Sequence, residues 1–167
     1  WRQYAGWGFK YGFRSIPVAN GALGMGCIGY PGHPVWEVTG ACNLRCIHCH
    51  AVSGNADADE LTTDEGKRLI DSIASVSEFR TLIYTGGEPL VRPDIFELFR
   101  HSQKAGLANI IATNGTLIDE EMAFKLKDHG VVCNAISIDA ADPAVHDRVR
   151  NKPGAFDLAL RAIEATK

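Results

Sequence analysis

The chain has 167 residues, 17 basic against 20 acidic, and is 46% hydrophobic and 22% charged. That is about one domain's worth of sequence with enough apolar content to bury a core, which argues against a disordered chain. A net charge of -3 without a Lys/Arg run argues against a nucleic-acid footprint, and the longest weakly charged stretch, SIPVANGALGMGCIGYPG, is too broken by Gly, Pro and Asn to span a membrane.

Residues 1–34 carry glycines interleaved with Trp1, Tyr4, Trp7, Phe9, Tyr11 and Phe13, keep no helical or strand period, and read as an irregular N-terminal extension. The start, WRQYAGWGFKYGFR, lacks the block structure of a secretory signal. Cys27, alone in GMGCIG, reads as a small buried hydrophobe.

From Val35 onward a short apolar run, a polar or Gly-rich loop and an amphipathic segment alternate. The runs VWEVT (35–39), TLIYT (81–85), NIIAT (109–113) and CNAISID (133–139) are apolar on both faces, as strands of a buried parallel sheet are. Between them the sequence predicts helices with recognisable ends. The first opens at Thr62 with Glu65 completing a capping box and buries Leu69, Ile70 and Ile73. The second has Pro93 in its first turn, carries Ile95, Phe96, Leu98 and Phe99, and stops at Gly106. The third runs from Asp119 to His129 with Met122 and Leu126 inward. The fourth, from Gly154, offers Phe156, Leu160 and Ile163. Four βα units imply a parallel sheet with right-handed crossovers, as an open doubly wound sheet or an arc of a barrel, with ligands at the carboxyl ends of the strands.

The first strand leads directly into TGACNLRCIHCHAVSG. The whole chain has five cysteines, an odd number, and the three crowded in this loop do not suit a disulfide framework, so a reducing, cytoplasmic setting is expected. Three metal readings are open. Cys46-Ile-His-Cys49-His50 has the spacing of haem attachment but leaves Cys42 unexplained. Cys42, Cys46 and Cys49 with His48 or His50 make a zinc set, although structural zinc usually takes two separated ligand pairs. A cubane held by three thiolates leaves one iron open to a non-protein ligand. After the second strand, Gly86-Gly87-Glu88-Pro89 lets backbone approach a ligand closely, and the Glu88 carboxylate suits an ammonium group. Read without a ligand, it is a Gly-rich turn that Pro89 terminates.

CNLRCIHC together with TGGEP resembles the radical S-adenosylmethionine (SAM) superfamily, whose hallmark is CxxxCxxC after the first strand of a partial (βα)6 TIM-like barrel. The resemblance spans about Val35 to Lys167. It implies that Cys42, Cys46 and Cys49 hold a 4Fe–4S cluster, that His48 lies beside the SAM adenine, and that Gly86, Gly87 and Glu88 bind its methionine amino group. ATNGTLI, with Thr113 and Asn114, is similar to the family's third loop. SIDAADPAVHDRVR resembles its S-L-D-G...HD..R segment, which brings Ser137 and Asp139 to the SAM ribose or carboxylate and Arg150 to the carboxylate, with Arg148 as competitor. Local alternatives are Asn114 as a turn residue, Asp139 as a helix cap and Arg150 as a surface charge.

The family core has six βα units, so the resemblance makes 35–167 its N-terminal part, without strands five and six or a C-terminal auxiliary-cluster domain. An open four-strand arc exposes an apolar edge, while Cys133, within the fourth strand, is expected to be buried. The implied chemistry is reductive cleavage of SAM to a 5′-deoxyadenosyl radical that abstracts hydrogen from a substrate. The electron comes from a low-potential donor such as ferredoxin or flavodoxin. VTGACNLRCIHCH with TGGEPL looks like the branch that matures haem and other tetrapyrrole cofactors and modifies peptides, so a small-molecule or peptide substrate is expected. A non-catalytic iron-sulfur or zinc module is the alternative from a different class.

Overall fold

Each short apolar run becomes a strand of one parallel sheet in order β1-β2-β3-β4, in a computed structural model that describes residues 33–51 and 53–167. The strands are β1 (Val35–Thr39), β2 (Thr81–Gly86), β3 (Ala108–Thr113) and β4 (Val131–Ile136). The aromatic arm and Cys27 lie outside the described residues. Among the described residues the helices are α1 (Thr63–Ala74), α2 (Ile95–Lys104), α3 (Glu120–Asp128), α4 (Pro143–Arg150) and α5 (Ala155–Ala165), with one 3-10 turn at Pro89–Val91. No helix among the described residues is long and apolar enough to cross a membrane.

Register fixes which side chains share a face. Leu82, Tyr84 and Ile111 turn toward the helices and are fully buried, with Tyr84 edge-on to Phe99 of α2 at 4.8 Å. Val35, Ile83, Ile110 and Cys133 are successive register partners and line the opposite, inner face. That face is open at both edges of the sheet, where Val35 is 57% exposed and Cys133 is exposed. The capping box at Thr62 and Glu65 forms as expected, and Asp119 caps α3 by accepting from the Met122 amide.

Three expectations need correction. Strand β4 begins two residues earlier than its apolar pattern suggests, and Cys133 is exposed rather than buried because it points into the open face of an edge strand. The last helix buries Ala155, Ala159 and Ala162, while Leu160 stays 42% exposed. A Cβ built on Gly115 would sit 3.3 Å from the Ala162 Cβ and 3.5 Å from the Ala159 Cα, a spacing that leaves room only for small side chains on this helix face. Helix α4 lies within SIDAADPAVHDRVR, where no helix is predicted, although Asp142 accepting from the Ala144 amide, Pro143 in the first turn and left-handed Asn151 at the end are ordinary helix punctuation.

A buried arginine ties β1 to the helical layer. Arg92 donates to the Val38 carbonyl at 2.5 Å, to the Leu61 carbonyl at 2.7 Å and through Nε to Asp94 at 2.7 Å. Burial by itself would push the Asp94 carboxyl up, but the bonds from Arg92 and Thr63 and the Arg92 charge bring it below the usual value. Arg92→Ala strands a carboxylate and two carbonyls, and is expected to cost roughly 3–5 kcal/mol in urea unfolding at neutral pH. A lowered carboxyl gives stability that is present above its ordinary pKa and is lost as pH falls through the lowered value. The deficit of the variant against wild type therefore shrinks in acid.

Candidate functional site

The carboxyl ends of all four strands converge on a cavity of about 540 Å³. Its walls include Cys42, Cys46, His48 and Cys49 from the loop after β1, Gly86 and Gly87 after β2, Thr113 and Asn114 after β3, and Ser137, Asp139 and Arg150 after β4. Every candidate site residue is on that wall except Glu88 and Arg148, the competitor of Arg150. Although the four loops are far apart in sequence, parallel strand order delivers them to one end of the sheet.

The cysteine loop is anchored along its length. The Cys42 amide donates to the Gly54 carbonyl at 3.1 Å and the Gly54 amide to the Gly40 carbonyl at 2.8 Å, which closes the loop at its base. Glu60 fastens the strand end by accepting from the Thr39 hydroxyl and the Gly40 amide. Asn43 donates to Thr116 and accepts from Asn114, both at 2.8 Å, which joins this loop to the one after β3. Leu44 is buried, while Ile47 is 70% exposed. Sequence reasoning gave no role to Asn43 or Glu60; the only signal for Asn43 was its place beside Cys42.

The glycines after β2 sit against β1. Gly86 has φ 125°, and a Cβ on Gly87 would lie 2.1 Å from the Ala41 carbonyl oxygen. No side chain fits there, since the Gly87 and Glu88 amides donate to the Thr39 and Ala41 carbonyls at 2.7 and 2.8 Å. Glu88 lies behind this wall, 0% exposed. Its carboxylate accepts from the Thr113 hydroxyl and the Asn114 amide, both at 2.8 Å, and from the Leu90 amide at 3.3 Å. Burial pushes the Glu88 carboxyl up despite these bonds and the Arg150 charge.

On the far wall, Arg150 grips the Asp139 carboxylate with Nε at 2.5 Å and Nη2 at 3.0 Å, and turns Nη1 to the Cys46 sulfur at 3.9 Å. His48 Nε2 lies 3.4 Å from the same carboxylate. The Asp139 side chain is therefore an anchor for two cavity residues and not a cap, a role that Asp142 fills. Arg150 is 12% exposed, so it is not a surface charge. Asn114 does make the local turn, accepting from the Thr116 amide, and also reaches across to Asn43.

The donor chemistry of the loop fits a cluster. Cys42, Cys46 and Cys49 line one cavity, and thiolates are the usual ligands of iron-sulfur groups. Burial pushes the Cys42 thiol up, with the Glu88, Cys46 and Cys49 charges adding to it, so a metal must displace a proton there. Among the described residues no three His, Cys, Asp or Glu side chains close around a single ion; a cubane instead spreads its thiolates over different irons.

Comparisons with known proteins agree with this geometry. A family model described as Radical SAM superfamily matches residues 36–167. The chain is 47% identical over 133 residues to an AdoMet-dependent heme synthase of Methanosarcina barkeri, covering 79% of this chain and 38% of that protein. It is 43% identical over 129 residues to the mycofactocin maturase MftC of Mycolicibacterium smegmatis, covering 77% and 32%. It thus spans about a third or somewhat more of the curated relatives it matches. The solved structure of native anSMEcpe with bound AdoMet shares the fold, with a TM-score of 0.64 at 23% identity over 80% of this chain and 40% of that one. Sequence hallmark, strand-end cavity and matched family model lead to one conclusion: the chain belongs to the radical SAM superfamily.

Proposed function

We propose that this chain is the SAM-cleaving part of an enzyme that starts radical chemistry in the maturation of haem, another tetrapyrrole or a related cofactor. The observation that carries the reading is the meeting of three thiols, a Gly-Gly backbone shelf and an Arg-Asp pair around one cavity at the strand ends. Cys42, Cys46 and Cys49 would hold a 4Fe–4S cluster, which when bound supplies the electron for reductive cleavage of SAM and hence for hydrogen abstraction.

The remaining work belongs to the protein's own groups. Gly86 and Gly87 present bare backbone to the ligand, and Thr113, Asn114 and Ser137 line the cavity with polar atoms that orient it. His48 would border the adenine. Arg150 would meet the SAM carboxylate through the Nη1 hydrogen that is not directed at the Cys46 sulfur, since Asp139 engages Nε and Nη2. Glu88 acts from behind the wall, holding the loops after β2 and β3 together. Peptide modification is the second reading, favoured by the 43% identity to a mycofactocin maturase. The 47% match to a heme synthase supports the first.

The test is anaerobic reconstitution of the full-length protein with iron and sulfide, followed by SAM and dithionite. Release of 5′-deoxyadenosine is expected. An iron-loaded protein that releases none is a binding module, and the enzymatic reading falls. Tetrapyrrole and peptide substrates are then separated by which of them accelerates that release.

A further inference from the structure

The segment after β4 holds a buried histidine whose partners lie outside its own helix. His146 of α4 is 1% exposed and packs edge-on to Phe156 with ring centroids 5.6 Å apart. Its Nδ1 lies 3.2 Å from the backbone nitrogen of Asp139. A backbone N–H can only donate, so Nδ1 is the acceptor and the ring proton sits on Nε2. This bond fixes Asp139 in the chain, and the Asp139 carboxylate fixes Arg150 and His48.

The same helix also grips the cysteine loop directly. The last carbonyls of a helix lack partners within it, and the Val149 carbonyl in the final turn of α4 accepts from the Ile47 amide at 2.9 Å. Ile47 stands between Cys46 and His48, so the backbone at the centre of the cysteine loop is capped onto the end of α4. Arg150 adds its contact to the Cys46 sulfur. A helix C-terminus carries partial negative charge, which is unfavourable beside thiolates, and the Arg150 guanidinium offsets it at that spot.

We propose that α4 is a clamp for the cysteine loop, with His146 as its positioning residue, and that it holds the Arg150 guanidinium on the Cys46 sulfur. The proposal rests on the reading of that loop as the cluster site. The buried ring holds the Asp139 backbone, Asp139 aims Arg150, and Arg150 together with the Val149 carbonyl sets the pose of Cys46 and Ile47. Donors to a cluster sulfur raise the reduction potential, so the clamp also tunes the group it holds.

The experiment compares the full chain with His146→Phe, which keeps a ring but removes the acceptor, and His146→Asn, whose carbonyl oxygen replaces Nδ1. In the metal-free protein, hydrogen exchange at the Ile47 amide is expected to quicken about tenfold in His146→Phe while the central sheet amides of β2 and β3 hold their protection. His146→Asn restores most of the protection. In the reconstituted protein, a redox titration followed by electron paramagnetic resonance is expected to give a more negative potential for His146→Phe. Unchanged Ile47 exchange, or equal loss of protection throughout the sheet, overturns the clamp. Where His146→Phe does not fold, Arg150→Lys carries the test, because lysine keeps the charge without the fork that holds Asp139, and the same local loosening is required. A wild-type protein that binds no cluster sinks the cluster reading, while the exchange measurement still decides the clamp.

Discussion

Cys46→Ala is expected to leave the reconstituted protein without its brown chromophore and without release of 5′-deoxyadenosine from SAM. Cys46 is held by the bond of the adjacent Ile47 amide to Val149 and by the Arg150 contact to its sulfur. The loop cannot slide to bring another donor into its place, because Gly54, Asn114 and Val149 hold it at its base, near Asn43 and at its centre. Cys133 offers no replacement, since register places it beside Ile110 on the inner face, below the cavity. Iron and sulfide analysis beside the deoxyadenosine assay checks the result. Turnover by the alanine variant would remove Cys46 from the ligand set.

Much of this arrangement was legible because parallel α/β sequences write their order plainly. Short apolar runs gave β1, β2 and β3 within a residue, and Thr62 with Glu65 and Asp119 marked helix starts through local chemistry that operates in any fold, whereas Pro93, expected in the first turn of α2, lies just before its Asp94 N-cap. The cysteine spacing is local too, which is why the loop could be read before its neighbours were known. What stayed hidden depends on distance in the chain. Nothing near Glu88 says that its partners are Thr113 and Asn114, and nothing near His146 says that its ring faces Asp139 beneath Phe156. The edge position of β4 is likewise a property of the sheet, so an apolar pattern alone made Cys133 look buried. The alanine face of α5 failed for a related reason: hydrophobic size ranks Leu160 above Ala159, whereas closeness to the Gly115 turn demands the smaller residue.

Those hidden links change what the Gly-Gly-Glu segment is for. Gly87 and Glu88 bond to β1, while the Glu88 carboxylate bonds to the loop after β3, and Asn114 of that loop bonds to Asn43 beside Cys42. Cysteine loop, glycine shelf and third loop therefore form a closed ring of hydrogen bonds around the cavity. A site held in this way keeps its shape before any ligand arrives, which lowers the ordering cost of binding. Disturbance in one loop is carried to the other two.

Glu88→Ala is accordingly expected to weaken SAM binding at least about tenfold while iron content stays near that of wild type, and to lower stability by roughly 3 kcal/mol, because the Thr113 hydroxyl and the Asn114 and Leu90 amides lose a buried acceptor. Glu88→Gln separates two explanations of that loss. If Glu88 serves as a charge partner for the SAM ammonium group, glutamine fails as badly as alanine in binding. The geometry favours the other outcome: Glu88 does not line the cavity, and glutamine still offers an acceptor, so it retains most of the binding. Stability gives an independent sign. Burial pushes the Glu88 carboxyl above its ordinary value, so the folded state holds this proton more tightly than the unfolded chain does, and wild type loses stability as pH rises from the ordinary carboxyl range through the raised pKa. Glutamine has no such proton to lose. Its stability relative to wild type should therefore rise over that window, measured by urea unfolding at a series of pH values, and a relative fall would show that the ionised carboxylate is the form the fold prefers.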